Sequence, residues 1–217
     1  MSRRPPITPA RTALGQLVDR PLRADGRRSY EALLAAADEM FTIHGPGAPL
    51  DAIARRAGVS NATLYRHFPD RRDLLVAVCV TEVEALCALG DELLNECDGT
   101  QALDSWLRAY VDHVRAKHGL AAAFATGGRE NSRFVAACQA PVEAIGTALL
   151  ARAIDEGAVR PDVKWADVTT LLNAIAMATE TTRDPLETEG LLTIVMNGIA
   201  RPATRRTQTK KRRGSTA

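Results

Sequence analysis

Residues 50–68 read LDAIARRAGVSNATLYRHF, and the fold turns on them. Ile53, Ala54, Ala57, Val59 and Leu64 supply a small apolar core for two short helices. Ala54 and Ala57 are small enough to let those helices approach at a steep angle. Gly58 permits the tight turn between them, because glycine enters left-handed backbone without a Cβ clash, and Ser60 can cap the second helix. Two short helices joined in this way form a helix-turn-helix, whose second member enters a DNA major groove. That second helix, predicted over 61–67, would expose Asn61, Ala62, Thr63, Tyr65, Arg66 and His67, side chains that can reach base edges, a thymine methyl or phosphate. A plain helical corner would not need Tyr65, Arg66 and His67 on so short a helix, followed at once by Arg71 and Arg72. Those two arginines fall in the first turn of the next helix, where free backbone amides also favour phosphate.

Upstream, Tyr30, Leu33, Leu34, Ala37 and Phe41 form one stripe of an amphipathic helix that His44-Gly45-Pro46-Gly47 ends. Residues 1–22 hold Pro5, Pro6, Pro9 and four Arg, and are expected to form a mostly disordered basic arm, with a helical hint at 12–18. Downstream, Asp70 is a good cap for a long helix over 71–97. Helical stripes follow at Leu103, Leu107, Tyr110, Val111 and Val114, and at Cys138, Val142, Ile145 and Leu149. Pro141 should kink that second stretch or split it. Two further stripes run through Val168, Leu171, Leu172 and Ile175 and through Leu191, Leu192, Val195 and Ile199. No sustained period-2 alternation is present. The expected fold is therefore all-α, with about nine helices: a three-helix DNA-binding domain over 23–75, a helical bundle over 76–200 and a disordered basic tail over 201–217.

Charge is distributed to match. Residues 1–75 carry twelve Arg against eight acidic groups, residues 76–200 nine basic against eighteen acidic, and the tail seven basic and no acidic. A basic front and tail with an acidic middle suit one end that meets phosphate while the rest does something else. Cys79, Cys87, Cys97 and Cys138 lack CxxC spacing and read as free thiols, with no metal site or cofactor implied. With no signal stretch and no long apolar run, the chain is expected to be cytoplasmic and not to engage a membrane.

The string GVSNATLYRHFPDRRDLL (58–75), together with Ile53-Ala54 and Ala57, resembles the DNA-binding signature of the tetracycline-repressor (TetR) family over about fifty residues. The resemblance implies that Thr63, Tyr65 and His67 contact phosphate or bases. It also implies that Ser60, Asn61, Ala62 and Arg66 tune or support recognition, and that Arg71 and Arg72 hold the DNA backbone. Family members often place Thr or Ser at the start of the first helix of the motif; Pro49-Leu50 stands there in this chain, and the N-terminal arm could compensate by entering the minor groove.

For the C-terminal half the resemblance implies homodimerisation and a small-molecule site between helices. The expected dimer face comprises Val168, Leu171, Leu172, Ile175, Leu191, Leu192, Val195 and Ile199. Trp106, Tyr110, His113, Phe124, Asn173 and Met177 combine aromatic bodies with polar tips and are the expected pocket. The implied function is a ligand-responsive repressor that binds an operator as a homodimer and releases it when a small-molecule effector binds. An architectural DNA-binding protein without an effector is the alternative. No HExxH, P-loop, GxSxG or paired-carboxylate constellation points to an enzyme.

Overall fold

The computed structural model describes residues 13–125, 128–179 and 185–202; the outer parts of the arm and tail, residues 1–12 and 203–217, lie outside it. Among the described residues eight helices are delimited, and residues 13–15 are also helical. Helix α1 (Ala24–His44) buries the expected stripe of Tyr30, Leu33, Leu34, Ala37 and Phe41 and ends at Gly45, whose φ of 72° needs glycine. Helices α2 (Leu50–Arg56) and α3 (Asn61–His67) pack under it. Helix α4 (Arg71–Glu96) starts on a capping box in which Asp70 accepts from the Asp73 amide and Asp73 accepts from the Asp70 amide.

Helix α4 then forms a bundle with α5 (Gly99–Ala125) and α6 (Gly128–Asp155), each of the three packing on the other two. Two glycines allow this close approach. A Cβ at Gly90 would fall 2.3 Å from Ile145 Cγ2, and one at Gly146 would fall 2.1 Å from the Trp165 ring. Trp106 is fully buried behind them, and its indole N–H donates to the Leu86 carbonyl at 3.0 Å. Helix α7 (Trp165–Ala178) lies on α5, and α8 (Pro185–Ile199) covers α7.

One expectation is narrowed and another changes. Helix α6 runs unbroken through Pro141, so the proline does not split it; its ring is buried and it removes one backbone donor. The arm is not disordered where it is described. Leu14 is fully buried, and Arg20 pairs with Glu84 on α4, so residues 13–20 belong to the packed molecule. The stretch Asn131–Asp155 is long and apolar enough to cross a membrane, with a mean hydropathy of 1.5. Its Val142, Ile145, Leu149, Leu150 and Ala153 are spent on the core of the bundle.

Candidate nucleic-acid interface and effector cavity

The helix-turn-helix is built locally. Ile53, Ala54 and Leu64 are buried at the crossing of α2 and α3. Gly58 turns the chain at φ 69°, and the Val59 amide returns to the Ala54 carbonyl at 3.0 Å. Ser60 Oγ accepts from the Thr63 amide at 3.1 Å and lies 3.0 Å from the Thr63 hydroxyl, which fixes the start of α3. The outward surface of α3 is then Asn61, Ala62, Tyr65 and Arg66, all exposed. This surface carries an amide, a methyl, a phenol and a guanidinium, a set that can read bases and hold phosphate. Thr63 is half-buried beside the cap.

His67 departs from its expected role. Its ring packs edge-on against Tyr30 with centroids 5.9 Å apart, and its Nε2 is closed to solvent without a hydrogen-bond partner among the described residues. Burial, then the neighbouring Arg66, lowers its pKa, which favours the neutral ring. His67 sits half-buried against α1, where the sequence reading expected an exposed side chain. The sequence signature fixes its helix position but not the direction its ring takes.

Arg71 and Arg72 also turn inward. Arg71 Nη1 donates to the Pro46 carbonyl at 3.0 Å and to the Ala48 carbonyl, clamping the turn between α1 and α2. Its Nη1 is thereby engaged within the protein. Arg72 Nη2 donates to Asn131 Oδ1 at 2.9 Å, and Asn131 Nδ2 donates to the Phe124 carbonyl at 2.9 Å. Asn131 is buried, so a polar chain runs from the start of α4 to the end of α5. No sequence motif marks Asn131, which stands among the polar residues Arg129, Glu130, Ser132 and Arg133 at the start of α6.

Phe124 is also one wall of a cavity of about 570 Å³ between α4, α5, α6 and α7. Of the six expected pocket residues, Tyr110, His113, Phe124 and Asn173 line it, and two do not. Trp106 lies behind the wall, fully buried and stacked on Tyr110 at 5.6 Å, because an indole of that size completes the bundle core. Met177 is 61% exposed and points away. Sequence reading missed Phe134, Cys138, Val142, Glu143 and Trp165; Cys138 and Val142 had been assigned to the core stripe of α6. The Phe124 and Phe134 rings meet at 4.7 Å. Tyr110 donates to Asn173 Oδ1 at 3.0 Å; burial raises its pKa, opposed by that hydrogen bond. Burial lowers the pKa of His113 and pushes the Cys138 thiol up to about 12, so both are neutral at pH 7.

The family model for bacterial regulatory proteins of the tetR family matches residues 33–78, and that for the C-terminal domain of SbtR-like transcriptional regulators matches residues 98–201. A TetR transcriptional regulator from Streptomyces coelicolor is 34% identical, covering 80% of this chain and 99% of its own, with a TM-score of 0.70. This chain belongs to the TetR family. It is accordingly a DNA-binding transcriptional regulator and not an enzyme. The regulator is also similar to the transcriptional activator FasR of Mycolicibacterium smegmatis, 37% identical over 95 residues that span 43% of this chain and 42% of FasR. The match thus covers less than half of that relative's length. FadR from Bacillus subtilis, solved in complex with stearoyl-CoA, shares the fold at 15% identity, covering 78% of this chain and 99% of its own, with a TM-score of 0.59.

The regulator's last two helices use their apolar stripes differently from expectation. Val168, Leu172, Ile175, Leu192, Val195 and Ile199 are buried in the regulator's own core, and Leu191 is half-buried. Of the eight expected dimer residues, Leu171 alone is exposed, at 49%. The larger apolar side chains left facing outward on α7 and α8 are Leu171, Met177, Leu186 and Ile194. The physical reason is simple: the strongest stripe on each helix closes the intramolecular core first, and a partner can meet only what remains.

Proposed function

We propose that this regulator is a cytoplasmic repressor that holds a palindromic operator as a two-fold dimer and releases it when a small molecule fills the cavity. The observation that carries this reading is the polar chain Arg72–Asn131–Phe124, which joins a cavity wall to the first turn of the helix leaving the helix-turn-helix. An occupant that displaces Phe124 strains two hydrogen bonds whose far end is Arg72. Helix α4 then shifts, and the spacing of the paired recognition helices changes with it. A ligand moves such a balance only by binding one arrangement better than the other. The outward Leu171, Met177, Leu186 and Ile194 supply an apolar patch for the dimer, and two copies can present α3 to consecutive major grooves about 34–36 Å apart.

Selection of bound sequences from random DNA tests the reading directly. The expected product is a palindrome preferred over random duplex by about 10³-fold or more. Repeating the selection with candidate effectors should identify one that lowers operator affinity for the native chain and fails to do so for Asn131→Ala. Flat sequence preference would contradict the reading, as would an effector that tightens operator binding.

A further inference from the structure

The cavity has an asymmetric lining. Its deep wall is apolar and aromatic: Val83 on α4, Phe124 on α5, Phe134 and Val142 on α6, and Trp165 at the start of α7 are all buried. Its outer edge is formed by one stripe of α6 and one of α7, where Gln139, Glu143, Thr170 and Asn173 are exposed. The edge therefore offers two amides, a hydroxyl and a carboxylate.

No lysine or arginine lines the cavity among the described residues. His113, set into the wall, is driven to its neutral form by burial. Among the described residues the single formal charge in the lining is therefore the negative one of Glu143. An anion placed here would leave water with no cation to pair it and would face a carboxylate besides. An apolar body, in contrast, finds aromatic faces at depth and, at the mouth, two amides and a hydroxyl beside the Glu143 carboxylate. The volume suits a compound of drug-like size rather than one carrying a nucleotide.

The geometry points to an uncharged, mainly apolar effector with hydrogen-bonding groups at one end, held with its apolar body between Phe124, Phe134 and Trp165 and its polar end at Gln139, Glu143, Thr170 and Asn173. This lining disfavours carboxylic acids, phosphate esters and coenzyme A thioesters, in contrast to the stearoyl-CoA held by the fold relative FadR. This inference rests on the reading of the cavity as the effector site.

Two dyes with one aromatic body separate the cases. N-phenyl-1-naphthylamine is uncharged, and 8-anilino-1-naphthalenesulfonate adds a sulfonate. Fluorescence titration of the full-length chain should give at least tenfold tighter binding of the uncharged dye. Ala166→Trp, at the exposed edge of the cavity, should abolish that binding by closing the mouth. Glu143→Lys should narrow the preference to under threefold by giving the sulfonate a partner. A sulfonate dye that binds equally or more tightly, at a site Ala166→Trp closes, overturns the assigned ligand class and leaves the effector reading standing. If neither dye binds at a site sensitive to Ala166→Trp, the effector reading of the cavity falls along with it.

Discussion

Arg71 separates what its position suggests from what its contacts do. The sequence pattern makes it a phosphate contact, yet its Nη1 donates to the carbonyls of Pro46 and Ala48. The Arg71→Ala variant removes a charged donor from two carbonyls in the turn between α1 and α2. A hydrogen bond from a charged group contributes about 1.5–3 kcal/mol. Both bonds here share one nitrogen, and the site is only part-buried, so water recovers part of the loss. The expected destabilisation is about 2 kcal/mol. For a chain of this length, about 2–4 °C per kcal/mol gives a fall in Tm of roughly 4–8 °C. Calorimetry at fixed protein concentration reads it, since the proposed dimer would make Tm concentration-dependent.

Operator titration over a range of salt supplies the second half of the test. Each phosphate neutralised contributes about 0.9 to the slope of log affinity against log salt. A clamp residue leaves that slope where it was, and any loss of affinity tracks the weaker fold. An Arg71→Ala protein with unchanged Tm and a slope lowered by about one would refute the clamp and restore the phosphate contact.

Two other outcomes are expected. Leu14→Ala should destabilise the protein by about 2–5 kcal/mol, the range for truncating a fully buried leucine, as read by urea unfolding; the loss of a disordered arm's side chain would leave the midpoint unchanged. Stability should also fall as pH drops below about 6.5, the ordinary histidine value. Burial holds His67 and His113 below it, so the unfolded chain takes up protons that the folded chain resists. The loss runs from 6.5 down to the lowered native values and then stops. Urea midpoints at pH 7.5 and 5.5 measure it, and replacing both histidines by Phe should flatten the difference; an equal decline in the double variant would remove them as its source.

How far the sequence could be read depends on how far each feature reaches along the chain. The helix-turn-helix was legible because everything that makes it is within about twenty residues: the small Ala54, the turn at Gly58, the cap at Ser60 and the buried Leu64. Its outward residues Asn61, Ala62, Tyr65 and Arg66 follow from helical phase alone. The intramolecular partners of His67, Arg71 and Arg72 were not legible because they lie 37, 23 to 25 and 59 residues away, on elements whose approach no local pattern encodes. The stripes of α7 and α8 were seen correctly as apolar, but periodicity does not say whether a stripe meets its own core or another chain. In the cavity, Trp106 and Tyr110 lie four residues apart on one face of α5. Both rings pack on Trp165, and tertiary packing alone, including the close approach of Gly90 and Leu86 to the indole, makes the first a core residue and the second a lining residue.

The same inward turn of the charged residues bears on how the proposed switch could work. Among the contacts between the DNA-binding end and the bundle, Arg20 with Glu84 and Arg72 with Asn131 are polar. Apolar contacts are non-directional and let helices slide at little cost, whereas a hydrogen bond weakens steeply once its angle or length leaves a narrow range. A small displacement at Phe124 is thus absorbed by the surrounding aromatic wall but not by Asn131, whose amide spans the Phe124 carbonyl and the Arg72 guanidinium. Breaking that pair frees Arg72 at the first turn of α4, beside the clamp by which Arg71 holds the turn between α1 and α2. On the proposed switch, Arg71 and Arg72 would act on DNA through the position of α3, so substitutions there should alter the response to effector before they alter which bases are read.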